Sequence, residues 1–394
     1  MGIGDFDNDG RQDVFFTGNQ VSSRLYLNRF TPGRDRLRFE DVTEAAGVTT
    51  NAWCTGVTVV DINQDGWADI YLSVAGPDSS RRANLLFVNQ GKHTPTGGVR
   101  FREQAREYGL ADTGYSTQTA FLDYDHDGDL DAYVLTNAEG KVRIAPTQPT
   151  NAQGCWNTLI AHDFDRDGDM DVMAGNLGLN TRHKASPDQP IELYAADFDQ
   201  NGSLDPVLTH YNDGQKCLTP TRDVLTAQVP AMKQRFPDFI SYAKSTFADA
   251  FRAEELESAY HVQATEFRSM YFENRGGGIF VPHPLPLEAQ VSPVYGILVD
   301  DFNHDGLDDA LLVGNSYASE TIGGWYDASK GALLLGNGRG DFKPADHCGI
   351  NAAQDAKAVV ALRRKGGATW ILVANNAGPL QGFQCRPPER SPPP

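Results

Sequence analysis

The chain has 394 residues, 40% of them hydrophobic and 22% charged, with a formal net charge of −18. This is the composition of a soluble globular protein long enough to bury a large core. The charge argues against nucleic acid or anionic lipid as a partner, since both need basic surface, and no apolar run approaches the roughly 18 residues of a membrane-spanning helix.

Reading from the N-terminus, Met1 opens almost directly on an acidic stretch, without the basic and apolar regions of a signal peptide; the sequence reads as a fragment of a longer protein. That stretch, Asp5-Phe-Asp-Asn-Asp-Gly-Arg-Gln-Asp13, returns at Asp61–Asp69 (DINQDGWAD), Asp123–Asp131 (DYDHDGDLD), Asp163–Asp171 (DFDRDGDMD), Asp197–Asp205 (DFDQNGSLD) and Asp301–Asp309 (DFNHDGLDD). The shared pattern, D-x-[DN]-x-[DN]-G-x-x-D, is the chemistry of a calcium loop. Calcium takes six to eight oxygens, and alternate residues of a tight loop can point inward. Side-chain oxygens are expected from positions 1, 3 and 5: Asp5, Asp7, Asp9; Asp61, Asn63, Asp65; Asp123, Asp125, Asp127; Asp163, Asp165, Asp167; Asp197, Asp199, Asn201; Asp301, Asn303, Asp305. Position 7 offers its backbone carbonyl (Arg11, Trp67, Asp129, Asp169, Ser203, Leu307), and the last aspartate closes the cage (Asp13, Asp69, Asp131, Asp171, Asp205, Asp309). Glycine at position 6 permits the sharp turn. Carboxylates about 4 Å apart repel by about 4 kcal/mol per pair at an effective dielectric of about 20, which points to about six bound Ca2+ ions as the normal state. Six dications would also cancel two thirds of the net charge.

An EF-hand is excluded because position 12 holds Phe16, Leu72, Val134, Ala174, Leu208 and Leu312, none of which can ligate. A short β-rich run succeeds each loop, as in Asp69-Ile-Tyr-Leu-Ser-Val, and similar runs precede the loops, as in Val57-Thr-Val-Val. Each loop therefore reads as a hairpin turn between two strands.

The loops resemble FG-GAP/VCBS-type repeats, the calcium-loop blades of the integrin α-subunit head. Phrases such as FFTGNQVSSRLYLN, DVTEAAGV, AGNLGLNTRHKASP, VPAMKQRFPDF and PLEAQVSPVYGILVDDFN resemble bacterial VCBS-repeat proteins of the ASPIC/UnbV group. The resemblance implies an all-β protein, a β-propeller of four-stranded blades. Seven blades are expected over residues 1–385, six with calcium loops and one degenerate, in which Arg363-Arg-Lys-Gly-Gly replaces the loop. A helical insertion is expected at about 215–259 within blade five, and a disordered Pro-rich tail at 386–394. Blades three and four look short, with 138–153 reduced to a linker, so an open or incomplete propeller stands as the alternative.

On the face opposite the loops, aromatics precede the first strands (Trp53, Tyr115, Trp156, Tyr295) and asparagines come after the second (Asn19, Asn137, Asn176, Asn315, Asn375). They could grip a ligand or simply pack the ring and cap turns. Arg339-Gly-Asp341 reads as a hairpin turn, and the five scattered cysteines as buried thiols, with one or two disulfides if the chain is secreted. The expected function is an extracytoplasmic binding or adhesion module for a protein or glycan, without catalysis. The alternative is a calcium-dependent polysaccharide lyase or hydrolase, for which His162, His183, His210 and His261 are available but share no repeat position.

Overall fold

The computed structural model describes residues 1–30, 38–76, 78–91, 98–123, 129–136, 153–277, 279–319, 323–345, 349–363 and 369–384. Their strands form seven antiparallel sheets. The first holds β1 (Gly2–Gly4), β2 (Asp13–Phe16), β3 (Arg24–Asn28) and β4 (Phe39–Asp41), succeeded by the one-turn α1 (Thr43–Ala46). The second holds β5 (Trp53–Val60), β6 (Asp69–Ala75), β7 (Leu85–Asn89) and β8 (Phe101–Glu103), and the third pairs β9 (Ser116–Leu122) with β10 (Asp131–Thr136). In every sheet that carries a loop the second strand starts on the last aspartate of that loop, so strands flank the loops where an EF-hand would have helices.

The fourth sheet departs from chain order. Its first two strands, β11 (Thr158–His162) and β12 (Asp171–Gly175), precede an inserted unit. That unit has its own sheet: β13 (Ile191–Ala196), β14 (Asp205–Asn212), β15 (Gln215–Leu218) and β16 (Tyr260–Ala264). The fourth sheet then resumes with β17 (Met270–Asn274) pairing β12, and β18 (Phe280–Pro284). The fifth sheet holds β19 (Val294–Asp300), β20 (Asp309–Gly314), β21 (Ala332–Gly336) and β22 (Phe342–Pro344); the sixth holds β23 (Ala356–Leu362), β24 (Trp370–Asn375) and β25 (Gln381–Gln384).

First strands neighbour one another in a cycle: β1 packs against β5, β5 against β9, β9 against β11, β11 against β19, β19 against β23, and β23 against β1. This is the order of a propeller in which the first strand of each sheet lies nearest the axis. Glycines let these strands approach: a Cβ on Gly56 would collide with the Thr117 carbonyl oxygen, and one on Gly296 would lie 2.9 Å from the Val359 nitrogen. Arg363 spans the seam between the last sheet and its neighbours. Its guanidinium is 2.9 Å from Asp300, and its amide donates to Gln12 Oε1 at 2.5 Å.

The core lies between successive sheets. On β20, Ala310 and Leu312 face the fourth sheet's Met173 and Tyr271, while Leu311 and Val313 face Val359 and Ile371 of the sixth. This two-residue alternation with both faces covered explains why the second strands are unbroken apolar runs. Each fully buried Leu or Ile contributes about 2 kcal/mol by removal from water.

The insertion differs from its expected form. Helices α2 (Arg222–Gln228), α3 (Met232–Arg235), α4 (Phe239–Ala243), α5 (Phe247–Ala250) and α6 (Ala253–Leu256) are present where the sequence places them. Leu225, Val229, Met232, Phe236, Phe247 and Phe251 pack with Val207 and Leu218 on the inserted sheet. The fifth loop thus sits on an inserted sheet, between the second and third strands of the fourth. On that sheet Glu192 and Tyr194 of β13, Lys216 of β15 and His261 of β16 form one polar cluster: Glu192 accepts from Tyr194 Oη at 3.0 Å and lies 2.5 Å from Lys216 Nζ and 3.0 Å from His261 Nε2.

Candidate metal centres and the opposite face

Five of the six loops are described, and they fold alike. The position 1 carboxylate accepts from the position 6 glycine amide in every one: Gly10 to Asp5 at 2.8 Å, Gly66 to Asp61 at 2.8 Å, Gly168 to Asp163 at 3.2 Å, Gly202 to Asp197 at 2.8 Å, Gly306 to Asp301 at 3.0 Å. The position 5 side-chain oxygen accepts from the position 7 amide, as in Trp67 to Asp65 at 2.9 Å and Ser203 to Asn201 at 2.8 Å. Glycine at position 6 is needed because φ there is +83° to +100°. Position 4 is also left-handed, which the pattern alone does not announce: Asn8, Gln64, Arg166, Gln200 and His304 have φ between 50° and 65°. Two left-handed residues in one short loop curl the backbone so that positions 1, 3 and 9 face one point.

In three loops the carboxylate oxygens converge within 4.8 Å: Asp5, Asp7 and Asp13; Asp163, Asp165 and Asp171; Asp197, Asp199 and Asp205. Each group could hold a metal ion. Two observations fit a hard cation. Asp7 Oδ1 and Asp163 Oδ1 are buried and accept no hydrogen bond, a costly arrangement unless an ion faces them. The donor set, moreover, is all oxygen. In the second and sixth loops Asn63 and Asn303 replace the position 3 carboxylate, and their amide nitrogens point to Asp65 and Asp305 at 3.0 and 2.9 Å. The first loop is unlike the others, since Arg29 reaches Asp7 at 2.7 Å and Arg11 pairs with Asp9. In the third loop Asp123, Asp129 and Asp131 are described, whereas Asp125 and Asp127 lie outside the described residues.

The last aspartate does more than close a cage. Asp13, Asp69, Asp171 and Asp309 are fully buried. One oxygen of each accepts from the position 2 amide of its own loop (Phe6, Ile62, Phe164, Phe302) at 2.9–3.1 Å. The other accepts from the third strand of the same sheet: Asn28, Asn89 and Asn274 amides at 2.7–2.8 Å, and Gly336 at 3.0 Å. Those asparagines return a bond through Nδ2 to the loop's position 8 carbonyl, Gln12, Ala68 or Met170. They are functional residues that sequence reasoning missed. The available signal was the recurring strand ending Leu-Tyr-Leu-Asn28, Leu-Phe-Val-Asn89 and Tyr-Phe-Glu-Asn274. In the absence of a cation, burial pushes the Asp13 carboxyl up to about 7 and those of Asp69 and Asp171 up to about 6.

Neighbouring loops touch. Asn8 at position 4 of the first donates to the Gly66 carbonyl of the second at 3.1 Å. Arg166, at position 4 of the fourth, donates to the Gly306 carbonyl of the sixth. The second contact passes over the fifth loop, in keeping with its place on the inserted sheet.

The opposite face is a mixture. Trp53 and Tyr115 are exposed by 40% and 37%, and the Arg82 guanidinium lies 4.0 Å from the Tyr115 ring centroid. Tyr295 is half-buried beneath Lys357, whose Nζ is 3.5 Å from the ring centroid, and Asn19 is exposed. Trp156 is not a ligand-face residue: at 1% exposure it packs against Phe272 in the core. Asn176 and Asn315 are also buried, because their amides hold turns. Asn176 Nδ2 donates to the Glu266 and Arg268 carbonyls, and Asn315 Nδ2 to those of Ser329, Ala353 and Gln354. Asn375 donates to the Pro379 carbonyl, and Asn137 lies outside the described residues. The Arg339–Asp341 stretch is the expected hairpin turn, closed by Asn337 and Asp341. Cys54 is buried as expected, Cys155 is exposed and Cys217 half-buried, with no disulfide among them; Cys348 and Cys385 lie outside the described residues.

Comparison with known proteins complements this geometry. A family model for the FG-GAP-like repeat matches residues 5–72, the stretch that holds the first two loops. Residues 5–72 are similar to an FG-GAP-like repeat. The chain is also similar to cartilage acidic protein 1 of Mus musculus, 26% identical over 216 residues, which are 45% of this chain and 32% of that protein. The Xenopus tropicalis and Homo sapiens proteins of that name are each 24% identical, over 49% and 45% of the chain. The matched region spans about a third of the length of these relatives. The FG-GAP-like repeat thus rests on both the match and the loops, whereas the bacterial resemblance rests on the quoted phrases alone. Loops four to six fold like the two within the matched repeat. No helix among the described residues is long and apolar enough to cross a membrane.

Proposed function

We propose that the protein is a calcium-cemented propeller scaffold that binds a protein or glycan partner outside the cytoplasm, without catalysing a reaction. The observation that carries this reading is the convergence of three carboxylates in each of three loops of one repeated geometry, with Asp7 Oδ1 and Asp163 Oδ1 buried and without a hydrogen bond. When bound, calcium would neutralise that charge and fix the turn between the first and second strands. Asp5, Asp7 and Asp13, Asp163, Asp165 and Asp171, and Asp197, Asp199 and Asp205 would hold it, and Asp61, Asp65, Asp301 and Asp305 would do so with Asn63 and Asn303. Millimolar calcium outside cells suits sites of this type, and the FG-GAP-like repeat supports a binding or adhesion role.

The histidines available to an enzyme are dispersed among separate partners: His162 faces Asp308 at 3.1 Å, His210 faces Thr219 at 3.1 Å and His261 faces Glu192. A thermal melt in calcium and in EDTA tests the reading. At calcium about a hundredfold above its dissociation constant, each independent site adds about 2.7 kcal/mol. The expected outcome is a fall in melting temperature of at least about 10 °C on chelation; an unchanged melt would refute the role of calcium as cement.

A further inference from the structure

We infer that the first loop is a low-affinity calcium station, filled after the other described loops, because Arg29 and Arg11 already hold two of its carboxylates. The inference rests on the calcium-scaffold reading and gives the stations an order.

The five described loops share one backbone path, yet among the described residues only the first carries ion pairs at positions 3 and 5. Arg29 Nη1 donates to Asp7 Oδ2 at 2.7 Å and lies 3.6 Å from Asp9 Oδ2. Arg11, at position 7 of the same loop, pairs with Asp9 through Nη2, and its Nε donates to the Asn28 carbonyl at 3.0 Å. The arginine of the fourth loop, Arg166, turns away to the Gly306 carbonyl and Asp308 of the sixth. Arg29 is delivered by the strand that supports its loop. It comes directly after Asn28, which binds Asp13 and the Gln12 carbonyl. Its Nε donates to Glu40 Oε2 of β4 at 2.8 Å, which aims the other end of the guanidinium at Asp7. Arg275 holds the same place after Asn274 in the fourth sheet, but Glu273 takes it at 2.9 Å. Sequence position alone therefore does not bring a cation to the loop; the Glu40 partnership does.

Asp7 is thereby divided. Its Oδ2 faces Arg29, while its Oδ1 is buried, accepts no hydrogen bond and converges with Asp5 and Asp13. The first loop keeps its cage assembled and partly neutralised by its own side chains. Four carboxylates at positions 1, 3, 5 and 9 and two guanidiniums leave it at −2. The same positions stand at −4 in the fourth loop and at −3 in the second, fifth and sixth, where one asparagine replaces an aspartate. Ligand charge sets the affinity of such loops for calcium, and a guanidinium fixed beside the cage repels an entering dication. For Asp9 to face an ion it must also leave Arg11. Both effects act against occupancy of this loop and of no other among the five.

The test is isothermal titration of calcium chloride into the calcium-stripped full chain. One site weaker than the rest by about tenfold is expected. Asp7→Ala should remove that weak site and leave the tight ones. Arg29→Ala should tighten it about tenfold with the number of sites unchanged, and Arg29→Gln, which keeps a long polar side chain, should do the same. Arg275→Ala, the matching change in the fourth sheet, should leave the isotherm as it is. Melting curves separate this role from a purely structural one. Arg29→Ala lowers the melting temperature in EDTA by several degrees, since the carboxylates lose their internal cation, and the deficit disappears in saturating calcium. The inference is overturned if all sites fill as one class, if Asp7→Ala removes a tight site, if the Arg29 variants bind calcium no more tightly than the unchanged chain, or if the deficit persists in calcium. Calcium binding alongside any of these outcomes leaves the scaffold reading intact, whereas a chain that binds no calcium refutes both.

Discussion

Asn89 shows how much of an acidic loop is built from outside it. Its amide donates to Asp69, its Nδ2 to the Ala68 and Phe6 carbonyls, and its Oδ1 accepts from Gly91 at 3.0 Å. Asn89→Ala removes the side-chain bonds and leaves buried partners unpaired, so a loss of about 2 kcal/mol is expected in chemical denaturation, with the calcium stoichiometry unchanged. The aspartates were legible because they recur within nine residues. The asparagines were not, because they lie 15, 20 and 103 residues from the aspartates they support, and only strand pairing brings them there. The buried aspartates also set a pH dependence. With carboxyl groups raised to about 6 and 7, the calcium-free folded chain holds protons that the unfolded chain has released, down to the ordinary value near 4. Its stability therefore increases as pH falls from about 8 to about 5. In calcium the trend reverses, since protons compete with the ion for the same oxygens. Melts of calcium-stripped and calcium-loaded protein across that range check both signs.

At the scale of elements, the fourth sheet is the instructive case. The loops fixed the positions of its first two strands, and the helical stretch from Arg222 was readable from its composition. The nesting was not readable, because every strand of the insertion carries the same local signals as a ring strand, and pairing between β12 and β17 spans about a hundred residues. The irregular repeat spacing has its cause here: the fifth loop starts only 34 residues after the fourth because it interrupts that sheet. The insertion has its own core around Leu225, Phe236 and Phe247. Replacing residues 190–265 by a short Gly-Ser turn is thus expected to leave a folded ring that still melts at a calcium-dependent temperature. Calorimetry and metal analysis would show one calcium site fewer; aggregation of the shortened chain would instead mean that the inserted sheet supports the ring.

For the whole molecule, the charge of −18 has a direct consequence. Without cations the loops crowd one rim with carboxylates, and their repulsion is screened only by salt. Raising sodium chloride from about 0.01 to about 0.5 M is expected to raise the melting temperature of the chelated protein by several degrees and that of the calcium-loaded protein much less. The propeller was legible from the loops, whereas a cycle of six sheets in place of the expected seven blades, the meeting of β1 with β23 and the bridging role of Arg363 were not, since no local pattern links residues 12 and 363. The contacts in which Asn8 and Arg166 grasp the glycine carbonyl of the next loop along the rim clasp the first loop to the second and the fourth to the sixth. An ion bound in one loop of a clasped pair would thereby also fix the grip that loop offers its partner.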